Sequence, residues 1–133
     1  MADLSDYLEQ ALFDHVFRGV VYTAPGTVYV SAHTANPTDA GGGETSGTSY
    51  ARVAVAATTA EWNAHGTAGP GDNVNAITFP TAGGSWGTIS HIGIYDDPSA
   101  GNLLMYGALS ASKAITTDDT LQIAAGALDI TFA

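Results

Sequence analysis

The residues best placed to do chemistry lie in the run SWGTISHIGIYDD, residues 85–97, where His91 sits among apolar residues and Asp96 and Asp97 follow close behind. An imidazole backed by a carboxylate is the pair that general-base catalysis uses. The spacing speaks against it. A strand rises about 3.3 Å per residue and alternates its side chains, so His91 and Asp96 fall about 16 Å apart on opposite faces. The run therefore reads as a strand entering a turn, with Asp96, Asp97, Pro98 and Gly101 supplying the turn chemistry. His15, His33 and His65 share no zinc-site spacing with each other or with His91. G-x-S-x-G occurs once, at residues 83–87 (GGSWG), but the residues after it read as a strand, not as the helix that a nucleophile elbow opens. The triple glycine at 41–43 lacks the Lys-Ser/Thr and the helix that a phosphate loop needs. The pairs Asp96/Asp97 and Asp118/Asp119 belong to no EF-hand loop. With no cysteine there is neither a disulfide nor a thiolate metal site. The expectation is a non-enzymatic protein with no catalytic residue, no cofactor and no metal.

The elements that would position these residues follow from the pattern. Residues 4–18, LSDYLEQALFDHVFR, read as a helix with Asp3 as N-cap, Asp6 completing a capping box, and Gly19 after the last turn, so that the element covers 3–19. Leu4, Tyr7, Leu8, Ala11, Leu12, His15 and Val16 recur at spacings of three and four and make one apolar face. Phe13 and Phe17 lie off that face, beside Asp6, Glu9 and Gln10. They are covered by a loop of the same chain, or meet another subunit together with Arg18, or stand isolated and exposed.

After Gly19 the pattern turns to short β-type runs between Gly, Pro, Asn and Asp. Strands are predicted near 27–34, 50–57, 74–79, 87–95, 102–108, 120–124 and 127–132, with one more around Trp62. On the strand through Trp86 to Tyr95, one face carries Trp86, Thr88, Ser90, Ile92 and Ile94, and the other carries Gly87, Ile89, His91, Gly93 and Tyr95. Trp62, Trp86, Ile92 and Tyr95 are the predicted core anchors, with ligand platforms as the other reading of the two tryptophans. No βαβ alternation appears. The expected fold is all-β with one N-terminal helix, an antiparallel β-sandwich or jelly roll, forming a single domain over 1–133. Within it, 20–133 makes the sandwich and the glycine-rich run 35–49 a mobile loop.

Composition narrows the partners. The chain has 133 residues, 45% of them hydrophobic and 12% charged, and a formal charge of −10 with only Arg18, Arg52 and Lys113 as fixed cations. Phosphate contacts need Lys and Arg, so nucleic acid and anionic membrane surfaces are excluded as partners. No run is long and apolar enough to span a bilayer, and the acidic start lacks a signal-peptide pattern. The expectation is a soluble chain that stays, at first, in the cell that makes it. A surface with few charges is easily buried against another protein, because little ionic desolvation is needed.

Several segments in order, DYLEQALFDHVFRG, TVYVSAHTANPTDAGGG, SYARVAV, AITFPTAGGSWGTISHIGIYDDPSAGNLLMYGAL and IAAGALDITF, resemble a family of small virion proteins of long-tailed bacteriophages. The resemblance covers nearly the whole chain. Members carry the label tail fibre protein, and others look like capsid cement or decoration proteins, β-sandwich trimers on the head shell. The resemblance implies no active site. It implies a homotrimer on the outer surface of the capsid, bound to the major capsid protein and stabilising the assembled lattice by mass action. A tail-tip or fibre-associated protein contacting the host surface is the alternative, and a small enzyme or free binding domain the third reading.

Overall fold

The computed structural model describes residues 2–67 and 69–132; Met1, Ala68 and Ala133, all inside the predicted 1–133 domain, lie outside the described residues. The chain is mostly β with one short helix. In order the elements are β1 (Ala2–Leu4), α1 (Asp6–Phe17), β2 (Thr27–His33), β3 (Val53–Ala56), β4 (Trp62–Asn63), β5 (Asp72–Asn73), β6 (Ile77–Thr78), β7 (Gly87–Tyr95), β8 (Leu103–Ile115) and β9 (Gln122–Ile123). Five strands form one antiparallel sheet in the order β1-β8-β7-β2-β3, and β4-β5 and β6-β9 form two small antiparallel pairs.

The alternation of side chains explains the layers. Val28, Val30 and Ala32 of β2 stand opposite Val55, Val53, Ile94 and Ile92 on neighbouring strands, so one sheet face is a β-branched surface. The pair β6-β9 lies over it. Ile77, Phe79, Leu121, Ile123 and Leu128 join Val30, Ile92 and Ile94 in one buried cluster, which makes the architecture an antiparallel β-sandwich with a short second layer. Trp86 and Ile92 lie in that cluster. Trp86 is edge-on to Tyr50 and Phe79, at centroid distances of 5.3 and 6.4 Å, and its indole N–H donates to the Thr48 carbonyl at 2.9 Å. Trp62 sits half-buried at the margin and donates to Ala56. Tyr95 is buried on the opposite sheet face.

The structure departs from the sequence reading in four places. Ala2–Leu4 is a strand on β8, not the start of the helix, and the N-cap is Ser5 rather than Asp3. Ser5 is buried; its Oγ accepts the Leu8 amide and donates to the Leu103 carbonyl, which a carboxylate at position 3 has no reach to do. Second, β8 runs to Ile115, well past the predicted end at 108. Third, strict alternation fails on β7: the ladder slips between Ile89 and His91, where four residues of β8 bulge out, and Ile89 joins Ile92 and Ile94 in the core. Fourth, 127–132 is not a strand; it is held by the Ile130–Gly71 bridge.

Candidate functional site

The surface that stands out is the outer side of α1. None of the helix residues is buried. Leu8, Ala11 and Leu12 are half-covered, while Phe13 is 56% and Phe17 74% exposed, with ring centroids 5.0 Å apart. Among the described residues no loop covers them. Val16, placed by periodicity on the inward face, is exposed too. Beyond the helix end, the Tyr22 amide donates to His15 Nδ1 at 3.2 Å and folds residues 20–22 back along the helix, which leaves Val20 and Val21 bare beside it. Arg18, the third predicted interface residue, is paired with Asp14 at 2.8 Å, one turn back, at an exposed position. Such a pair contributes little, on the order of 0.5 kcal/mol. The site is thus a band of Phe, Val and Tyr on a helix edged by carboxylates. Periodicity missed Val16, Val20 and Val21 because it assumes that the regular apolar face is the one the chain itself covers.

A second cluster lies on the sheet face opposite the core, under residues 34–44. Its members come from four places in the chain: β2, the segment after it, residues 50–52 just before β3, and the end of β7 with its turn. Arg52, with a side chain only 6% exposed, grips Glu44 with two parallel 2.8 Å bonds, from Nε to Oε1 and from Nη2 to Oε2. Its Nη1 donates to the carbonyls of Asp97 and Ala100, each at 2.8 Å, so one guanidinium ties the loop after β2 to the β7–β8 turn. The same group lies 3.6 Å above the ring centre of Tyr95, a cation–π contact. Tyr50 donates to Glu44 Oε1 at 2.7 Å and accepts the Ala32 amide. His33, fully buried, donates from Nδ1 to the Gly42 carbonyl, and its Nε2 meets Ser31 Oγ, both at 2.8 Å. Gly93 lies across from Ser31; a Cβ there would stand 2.8 Å from Ser31 Oγ and 3.0 Å from His33 Nε2, so only glycine fits.

This cluster fastens the segment 35–49, which composition alone presents as a mobile loop. The Tyr95 hydroxyl donates to Gly41, the Gly42 amide to Pro37, Thr34 to Gly43 and Thr45 to Ala32. Gly41 takes φ +72°, and a Cβ on it would strike the Tyr95 hydroxyl. The glycines here serve turns and close approach. Chemically, the cluster is a closed set of bonds: the imidazole, the carboxylate and the guanidinium are all engaged within the chain. His91 bonds Ser90, and Asp96 holds the turn by accepting from Asn102, so the two make no pair. Among the described residues no group of three or more His, Asp or Glu is placed to hold a metal ion.

The electrostatics of the cluster give a pH prediction. Burial lowers the His33 pKa below its ordinary 6.5, the Gly42 bond and Glu44 opposing this only in part. Burial by itself would raise the Glu44 carboxyl; the bonds from Arg52 and Tyr50 outweigh it and hold the pKa below 4.5. Both shifts mean that the unfolded chain binds protons more readily, so stability is lost as the pH is lowered through each window. The expected curve is level above pH 7, declines below 6.5 by at most about 1.4 kcal/mol per pH unit from His33, and declines further below 4.5 from Glu44. Urea midpoints measured from pH 8 to 4 check this, and His33→Gln should remove the first decline while leaving the second.

A family model described as Podophage GP4 fiber I protein gp80 matches residues 3–131, which is nearly the whole chain. No curated protein matches it. The description names a podophage and a fibre, where the sequence resemblance pointed to long-tailed phages and, among them, to cement proteins of the head. The two agree at the coarser level, on a structural protein of a bacteriophage virion. The chain belongs to the Gp80 family of fibre-type phage structural proteins.

Proposed function

We propose that this chain is a non-enzymatic structural subunit of the virion, a homotrimer assembled through the outer side of α1 and residues 20–21. The observation that carries the reading is the exposure of Tyr7, Phe13, Val16, Phe17, Val20 and Val21 on one helix and the segment folded against it. These side chains leave on the order of 500 Å² of apolar surface bare, near the top of the range for a monomer and more than half of one partner's share of a standard interface. Elsewhere the surface is rich in Ser, Thr, Ala and Gly, and a charge of −10 per chain disfavours indiscriminate clustering.

A fibre-associated position follows the family's description. Cement on the outer head shell, bound to the major capsid protein, is the second reading. It is favoured by the described residues forming a compact sandwich with neither shaft nor repeat, a shape suited to addition in many copies to a finished shell. Immunogold labelling of intact virions separates the two: gold on fibres or tail supports the first, gold spread over the heads the second. The shared element is tested by Phe13→Asp with Phe17→Asp. Monomer stability should change by less than about 1 kcal/mol, since both rings are exposed, while the trimer is lost in sedimentation. A trimer of unchanged mass would remove the helix from the interface.

A further inference from the structure

Among the described residues His33 is the one imidazole, carboxylate or cation that is fully buried, and it ties Gly42 of the following segment to β2. Its Nδ1 faces the Gly42 carbonyl, which only accepts, so that nitrogen carries the proton and Nε2 accepts from the Ser31 hydroxyl. The neutral ring is therefore fully matched. A second proton on Nε2 would set donor against donor unless the Ser31 hydroxyl turned away. No counter-ion is free to meet it. Glu44, the carboxylate of the adjoining strand bridge, has both oxygens committed to Arg52 and Tyr50. Arg52 itself is a neighbouring positive charge, and the other groups facing the ring are Tyr95, parallel to it at 6.4 Å, and His91, directly across the β2–β7 ladder. Gly93 packs where a yielding side chain would otherwise lie. What remains to stabilise an imidazolium is water, and water reaches it when residues 34–44 lift from the sheet.

That segment is also tied to the helix. Asp39 Oδ1 accepts the Asp6 amide at 2.9 Å, the first amide of α1. We propose that His33 is an acid-sensitive latch: its protonation releases residues 34–44 from the sheet and, through Asp39, loosens the first turn of α1. The consequence for assembly rests on the reading above; the latch itself is tested on the isolated chain.

The test is amide hydrogen exchange by NMR on the full chain at pH 7.5, 6.5 and 5.5, corrected for intrinsic rates, with Glu44 charged throughout. The amides of Thr45, which ties the end of the segment to Ala32 of β2, and of Asp6, bonded to Asp39, are expected to be less protected than that of Ile92 at every pH. Their protection should fall by roughly tenfold per pH unit below 6.5, and the fall should vanish in His33→Gln. Protection equal to that of Ile92 throughout would mean that the segment opens only with the whole fold, and would overturn the latch, as would protection independent of pH. An Asp6 amide that stays protected while Thr45 opens would overturn the link to α1. If His33→Gln does not fold, the wild-type imidazole titration decides: a native His33 that takes up its proton at or above pH 6.5 overturns the proposal, and one that does so below it supports it.

Discussion

Replacing Arg52 by alanine is expected to destabilise the chain by about 3–5 kcal/mol, the cost of breaking a buried ion pair from one side. The loss has several parts. Glu44 keeps a charge that is largely shielded from water, with Tyr50 as its remaining donor. The carbonyls of Asp97 and Ala100 lose the donor that anchors their turn, and Tyr95 loses the cation above its ring. Arg52→Lys keeps the charge but not the planar fork, so it should recover less than half of the loss. Arg52→Ala with Glu44→Gln should be milder than Arg52→Ala alone, because no unpaired charge is left. Urea midpoints at pH 7.5 measure all three; a loss of less than 1 kcal/mol for Arg52→Ala would show that the turn and the carboxylate find water instead.

Trp86→Ala should cost a similar amount, about 3–5 kcal/mol, for a different reason. It empties the space beside the stacked rings of Tyr50 and Phe79 and takes the indole donor from the Thr48 carbonyl, which keeps the Gly83 amide. In a chain of this size that lowers the melting temperature by on the order of 10 °C. Trp62→Ala, at a half-buried site on the margin of the core, should cost less than half as much. Calorimetry of the two variants compares them directly. A Trp86→Ala protein that melted normally would mean that the indole is no core anchor at all.

The sequence made some parts of this molecule legible and hid others, and the division has a physical basis. Both ends of β7 were readable, since a run such as GTISHIGIY combines β-branched residues with a turn signal at each end, while the bulge that turns Ile89 to the core was not. The absence of a local His–Asp pair followed from strand geometry alone. β1 was hidden because three residues leading into a helix carry no period of their own, and their pairing with β8 is fixed by contacts about a hundred residues away. The second half of β8, SASKAI, has small polar side chains that signal a loop unless the bulge and the neighbouring strand are known. The cluster of His33, Glu44, Tyr50, Arg52 and Tyr95 left no motif, because motifs record spacing along the chain and these residues converge only through the sheet. The glycines at 41–43 were read as freedom, whereas their use is to let the chain turn tightly over Tyr95 and His33.

The three residues of β1 also decide how force crosses the molecule. α1 is joined to the sheet at its start, through Ala2, Asp3 and Leu4 beside Gly107, Tyr106 and Met105, and through the Ser5 amide on the Leu104 carbonyl. Hydrogen bonds between antiparallel strands lie perpendicular to the strand axis. A tug on the helix along that axis strains all the β1 bonds at once, so they must fail together. A tug away from the sheet peels them one by one. Were the subunit held through its helix, as proposed above, it would be strong in one direction and weak in another, and the direction in which the assembly pulls would set how firmly it is kept.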